Sequence, residues 1–275
     1  MSSPNRRSPR ATALSQHRLR DSSVAERIVA STGLAPPDVV FELGAGDGTL
    51  TDALARRCRR VVAIEIDRAS WARLKGRFRG NPVVTPVLGD MLLHEFPRQG
   101  AYKLIANVPY SATSRLFRML LTLANPPAEA YLILASDAAQ RWLGLGHDSL
   151  ASIQLKARFE VSVALALRRG DFTPRPDVDA VVARLMPRPG RRRLSDATAF
   201  DGFVRAGFGS GRRTICDNLG RLMSREQFLN VAAPRGFDRE TRPHELTIED
   251  WAALYLETQR PRGTPRAHRA RPRQG

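Results

Sequence analysis

The run Asn107-Val108-Pro109-Tyr110 follows directly on an apolar stretch, Lys103-Leu104-Ile105-Ala106. A turn of this composition at a strand end can hold an aromatic amine. The side-chain oxygen of Asn107 and the carbonyl of Val108, steadied by the fixed φ of Pro109, can accept both amine hydrogens and aim the nitrogen at an electrophile. Tyr110 adds a ring on which a base can stack. Alone, the same tetrapeptide would serve as a plain turn with a core tyrosine, so its meaning rests on what the rest of the chain supplies.

Upstream lies a loop of the cofactor-binding kind. Residues 39–51, VVFELGAGDGTLT, read as a buried strand entering a glycine turn and then a helix. Gly44, Gly46 and Gly48 let bare peptide groups approach a ligand, with Ala45 between them as a further contact. Glu65 lies 21 residues after Gly44, near the spacing at which a carboxylate accepts hydrogen bonds from ribose hydroxyls. Asp90 is placed to accept from an adenine amine, with Ile66 and Met91 as flanking contacts. The glycines run G-x-G-x-G, not the G-x-G-x-x-G of a pyrophosphate cradle, so a nucleoside cofactor without phosphate is expected, and S-adenosylmethionine fits that description. Plain strand-to-helix turns also use glycine, and Asp90 could be an ordinary cap. Cys58 and Cys216 stand far apart and outside any CxxC, so no metal is expected.

The elements that must position these residues are legible as an alternation. Short β-rich runs at 39–43, 61–64, 83–88, 103–106 and 131–134 are separated by amphipathic windows at 49–57, 70–78, 113–123 and 138–143. This predicts an α/β, Rossmann-like, mainly parallel sheet. Two further runs, 160–167 and 178–186, predict an antiparallel hairpin closing one edge. After the breaker MPRPGRRR the pattern becomes helical, near 200–208, 212–223, 225–231 and 248–257. The expected organisation is a basic arm over 1–20 that opens the cofactor motif, a Rossmann-like domain over 21–189, a small helical domain over 190–259 and an Arg-rich tail over 260–275, with arm and tail disordered.

Charge points to a partner. The 275 residues carry a net charge of +17, and eleven of the excess charges are arginines in residues 1–20 and 260–275, where no acid occurs. Arms of this kind find polyanions, nucleic acid above all. Arginine in place of lysine across the chain also fits a plain compositional bias. No run is long and apolar enough to span a membrane, and the N-terminus lacks a secretory signal, so a cytoplasmic monomer is expected.

The order of motifs resembles the ribosomal RNA adenine-N6 methyltransferases, whose Erm branch acts on large-subunit rRNA and whose KsgA/Dim1 branch acts on small-subunit rRNA. The resemblance runs from Ser15-Gln16, Leu19 and Asp21 through the glycine loop, Glu65, Asp90 and the 107–110 turn to FTPRPDVD at 172–179. It implies that Gln16, with Leu19, contacts the methionine part of the cofactor. His17 stands where the family usually has Asn, and is either a replacement contact or a solvated tail residue. Phe172 is implied as a base-stacking or loop-shaping residue opposite Tyr110, the alternative being packing under its own loop. Ala135-Ser136-Asp137 replaces the family's Gln-Arg/Lys-Glu and receives no role. Gly44-Ala45-Gly46 and the basic ends favour the Erm branch, hence methylation of a 23S rRNA adenine and resistance to macrolide, lincosamide and streptogramin B drugs. GRRTICDNL at 211–219 is similar to the KsgA branch, which leaves a 16S rRNA dimethyltransferase as the alternative.

Two other classes fit part of the pattern. A nicotinamide-dependent oxidoreductase would use the loop and Glu65 but leaves the 107–110 turn and the basic ends unexplained. A non-catalytic RNA-binding descendant would have no need to retain Asn107, Val108, Pro109 and Tyr110 together.

Overall fold

In the computed structural model, which describes residues 17–188, 197–209 and 214–260, seven strands form one sheet. They are β1 (Val39–Leu43), β2 (Arg60–Glu65), β3 (Val84–Leu88), β4 (Lys103–Asn107), β5 (Glu129–Ala135), β6 (Phe159–Leu167) and β7 (Ala180–Pro187). Their order is β3-β2-β1-β4-β5-β7-β6. The pairings from β3 to β5 are parallel, and β7 pairs antiparallel with both β5 and β6. The α/β Rossmann-like class is therefore correct, as is the antiparallel hairpin at one edge.

The inner strands are apolar almost throughout because both faces of the sheet are covered. Alternate residues divide between two cores. Val40, Ile105 and Ile133 join one cluster with Ile28, Leu50 and Leu74, from the helices α1 (Ser22–Ala30), α2 (Thr49–Ala55) and α3 (Arg68–Arg77). Leu43, Leu104 and Leu132 join the other with Leu116, Phe117 and Leu120 of α4 (Thr113–Thr122). The chain leaves β1 toward β2 and later returns to β4 on the other side, so a crevice opens between the carboxyl ends of β1 and β4.

Several local expectations require correction. Helix α1 falls outside the predicted windows although its cap is legible: the Asp21 carboxylate accepts from the Val24 amide at 3.1 Å. The window at 138–143 is a single α-turn, Ser136–Ala139, followed by a π-helical turn, Gln140–Gly144, in which Trp142 stacks on Phe117 at 4.5 Å. A further helix, Leu150–Lys156, is closed by a Ser149/Ser152 capping box. Residues 17–20, assigned above to the basic arm, belong to the folded unit: Arg18 and Leu19 pair antiparallel with Thr173 and Phe172, and Arg20 pairs with Asp21 at 2.9 Å. Residues 1–16 and 261–275 lie outside the described residues.

The chain divides into two compact units, Met1–Arg191 and Arg192–Gly275. The second contains the helices Ala197–Gly209, Ile215–Leu219, Arg225–Ala232 and Ile248–Thr258. Its centre is Trp251, fully buried, stacked on Phe208 and edge-on to Phe203. Gly207 lies so close to that indole that any Cβ would meet the ring. The predicted helix over 212–223 is shorter among the described residues: Thr214 caps it and Gly220 ends it.

Candidate active site

An open cleft of about 810 Å3 lies at the β1/β4 crevice. Its walls include His17, Leu19, Gly44, Ala45, Gly46, Asn107, Val108, Pro109, Tyr110 and Phe172. The glycine loop and the 107–110 turn, 61 positions apart from Gly46 to Asn107, are thereby brought to one cavity. Glu65, Ile66, Asp90 and Met91 do not line it. They sit at the ends of β2 and β3, one and two strands further along the sheet, and Gln16 lies outside the described residues.

The loop owes its shape to left-handed backbone at Gly44 and Gly46, with φ of 76° and 57°, and a Cβ on either would enter open space. A ligand, not protein, is what that space suits. Gly48 shares that left-handed backbone, with φ of 82°, and has a further reason to be glycine that the sequence pattern does not disclose: a Cβ there would meet Leu74 and Phe78 at 2.8 Å, so it permits α2 to pack on α3.

Glu65 is 1% exposed, and its carboxylate is committed on both oxygens to backbone: Oε2 accepts from the Gly46 amide and Oε1 from the Asp67 amide, each at 2.8 Å. The side chain expected to meet a ribose thus also fastens the glycine loop to the adjacent strand. Carboxylate oxygens have lone pairs to spare, so both tasks are compatible. Asp90 Oδ1 accepts from the Leu92 amide at 2.9 Å, forming a small turn after β3. Ile66 is 54% exposed, whereas Met91 packs against the core.

Glu42 lines the cleft and was not among the residues singled out from sequence, although its place before the glycines was the available signal. It is almost fully buried, and Thr51 donates its hydroxyl to Oε2 at 2.5 Å. Burial pushes its carboxyl up to about 8, against the Thr51 bond and with help from the nearby carboxylates of Asp47 and Glu65.

At the opposite wall, Asn107 Nδ2 donates to the main-chain oxygen of His17 at 2.9 Å, which commits the amino half of the amide and leaves Oδ1 as the acceptor. The Val108 amide donates to Ile133 O at 3.2 Å, and the Pro109 carbonyl accepts from Ala112 N and Thr113 Oγ1, so the turn is held by β5 on one side and α4 on the other. Tyr110 remains 49% exposed. Partial burial, with Asp137 and Asp177 nearby, raises its phenol above the ordinary value, so it stays neutral.

Phe172 is only 5% exposed and shares a core cluster with Leu19, its strand partner, which is the packing under its own loop that the sequence left as the alternative. His17 is not a solvated tail residue: its Nδ1 lies 2.7 Å from Pro174 O and its ring meets Tyr110 edge-on at 6.5 Å. Ser136, for which no role was assigned, donates both its amide and its hydroxyl to Asp179 O, at 2.9 and 2.8 Å, tying the end of β5 to the 172–179 loop.

The family model "Ribosomal RNA adenine dimethylase" matches residues 8–260. The chain belongs to that family. Among its relatives is the ribosomal RNA small subunit methyltransferase A of Moorella thermoacetica, 33% identical over 257 residues, spanning 87% of this chain and 89% of the relative. A probable small subunit methyltransferase A of Methanosarcina mazei is 34% identical over 247 residues, with the same coverage. The 23S rRNA methyltransferase ErmE has a similar solved structure, with a TM-score of 0.79, 26% identity, and coverage of 88% of this chain and 100% of that one. A dimethyladenosine transferase from Plasmodium falciparum shares the fold, with a TM-score of 0.72 at 23% identity, over 88% and 98% of the two chains. The protein is thus an rRNA adenine methyltransferase, and its family and fold imply S-adenosylmethionine as donor. Among the described residues no cluster of His, Cys, Asp or Glu is arranged to hold a metal ion, and no helix is long and apolar enough to cross a membrane.

Proposed function

We propose that this enzyme methylates N6 of an adenine in small-subunit rRNA. The observation that carries the chemistry is the shared cleft, in which Asn107, its amide fixed by His17 O, stands across from the Gly44–Gly46 loop. When bound, S-adenosylmethionine supplies a methyl group on a positively charged sulfonium, an electrophile that needs no metal. Its nucleoside end suits Glu65, Ile66, Asp90 and Met91, and its methionine end suits the glycine loop, Leu19 and Gln16. Asn107 Oδ1 and the Val108 carbonyl accept the two N6 hydrogens and turn the nitrogen toward the donor, which compensates for the poor nucleophilicity of a delocalised amine. Tyr110 stacks on the target base, which must be unpaired or flipped to enter the cleft. Phe172 shapes the loop against that ring.

The names of the relatives from M. thermoacetica and M. mazei support the small subunit over the large-subunit target that the sequence motifs alone favoured. A second reading, a 23S rRNA adenine methyltransferase conferring macrolide, lincosamide and streptogramin B resistance, is supported by the similarity to ErmE over that protein's whole length. Primer extension across both rRNAs, from cells with and without the protein, tests the choice. A new dimethyladenine stop confined to 16S rRNA is expected, and a stop confined to 23S rRNA would overturn the proposal in favour of the second reading.

A further inference from the structure

We propose that His17 is a positioning residue, the single point at which the amide of Asn107, the loop after Phe172 and the ring of Tyr110 are locked together for transfer. The inference rests on the adenine-N6 reading of the site. Its basis is that one residue touches three separate parts of the catalytic wall. The main-chain oxygen of His17 takes the Asn107 Nδ2 hydrogen at 2.9 Å. Its Nδ1 lies 2.7 Å from Pro174 O, and because a carbonyl oxygen can only accept, Nδ1 carries the proton and donates. Its ring abuts Tyr110 edge-on at 6.5 Å.

The consequence follows from the order of these bonds. The bond from Nδ2 fixes which way the Asn107 amide is turned and so keeps Oδ1 toward a substrate amine, and the atom that takes it is a backbone oxygen near the start of the described chain. The two residues after His17 form the short pairing Arg18↔Thr173 and Leu19↔Phe172. Arg20 continues the clasp, its amide donating to Asp171 O at 2.8 Å and its guanidinium to Gly170 O at 2.9 Å. On the other side of the clasp, Arg27 grips the Asp171 carboxylate at 3.2 and 3.4 Å. Apart from the Arg27 pair, these bonds hold residues 18–20 to the region 170–173. Among the described residues, the His17 side chain carries the clasp onward to Pro174, and so decides where its own carbonyl stands relative to Asn107.

The role separates from cofactor binding by the step it affects. His17→Ala and His17→Phe both remove the Nδ1 donor, the second keeping an aromatic ring beside Tyr110. Each is expected to lower kcat at saturating cofactor and RNA by roughly 10- to 100-fold, the cost of misplacing a reacting group by about an ångström. The dissociation constant for S-adenosylmethionine, measured by calorimetry, should hardly move. His17→Asn, whose amide N–H has nearly the same reach as Nδ1–H, should recover most of the rate. In protein carrying 3-fluorotyrosine, the Tyr110 fluorine signal, assigned by its loss in Tyr110→Phe, should shift in His17→Phe, whose ring Pro174 O no longer holds in place. Should His17→Ala fail to fold, the comparison of Phe with Asn carries the same test. A wild-type kcat with weakened cofactor binding would make His17 a cofactor contact and overturn the proposal. Equal rate losses in Asn and Phe would overturn it too, since the donor would then be irrelevant. A wild-type enzyme that methylates no rRNA adenine would instead overturn the function on which the inference rests.

Discussion

The Glu65 carboxylate holds the Gly46 amide at 2.8 Å, so the end of β2 clamps the loop that follows β1. The same side chain is the one proposed to meet a ribose, so it would also set the backbone that a cofactor meets. Glu65→Ala is expected to weaken S-adenosylmethionine binding by about 1–3 kcal/mol, the value of a charge-assisted bond removed. Glu65→Gln keeps one acceptor oxygen and should fall between. Calorimetric titration of the three proteins checks this, and equal affinities would refute both functions of the carboxylate.

Asn107 is bound through Nδ2, which makes Asn107→Asp more informative than Asn107→Ala. The aspartate keeps an oxygen but sets a carboxylate against the His17 carbonyl. Both variants should lose methyl transfer by roughly 100-fold or more while retaining cofactor affinity, because orientation of the amine is the contribution removed. Single-turnover rates at saturating cofactor are the measurement. An active Asn107→Asp would show that the oriented amide is dispensable.

Tyr110 is half exposed at the cleft wall, and its phenol remains neutral across the working range. The proposed stacking role rests on the ring and does not need the phenol ionised. Tyr110→Phe should keep most of the activity and Tyr110→Ala should lose RNA-dependent turnover, with a deficit of about 1–3 kcal/mol from the missing stacking surface. If Phe and Ala are equally impaired, the hydroxyl is at work and the stacking role fails.

Glu42 makes stability depend on pH. Its folded-state value of about 8 stands above the ordinary 4.5, so the folded protein keeps a proton that the unfolded chain releases. The stability this provides is complete below about pH 4.5 and is lost as pH rises through about 8. Glu42→Gln has no proton to lose and can still accept the Thr51 hydroxyl. Its Tm relative to the parent should therefore climb from about pH 5 to about pH 8 and then level off. Thermal melts across that range decide the point, and a constant difference at every pH would mean that Glu42 is ionised in the folded protein.

Arg260 pairs with Glu257 at 3.1 Å, so a deletion that tests the basic tail should begin at residue 261. It removes Arg262, Arg266, Arg269, Arg271 and Arg273. For every RNA phosphate that these arginines neutralise, the deletion should lower the slope of log affinity against log salt by about 0.7–0.9. The modified adenine should stay the same and saturating RNA should restore turnover, since phosphate contacts carry no base information. A changed target adenine would show that the tail reads sequence.

What the sequence determined by itself was local and ordered along the chain. The apolar runs marked β1 to β5 because strands covered on both faces are mostly apolar, and Gly44 and Gly46 marked the turn because only glycine adopts its φ cheaply. Asn107 through Tyr110 were legible because they follow β4 without a break. Helix α1 was missed despite the Asp21 cap because helical windows were read only from the first strand onward. Tertiary structure alone decided what depends on distant partners. It set His17 against Asn107 and Pro174, committed Glu65 to the Gly46 amide, buried Glu42 until its carboxyl stays protonated, and showed Gly48 to be a packing glycine. Residue type and spacing record what a segment can do by itself; a hydrogen bond across 90 positions, such as Asn107 to His17, exists only after the sheet has brought the two together.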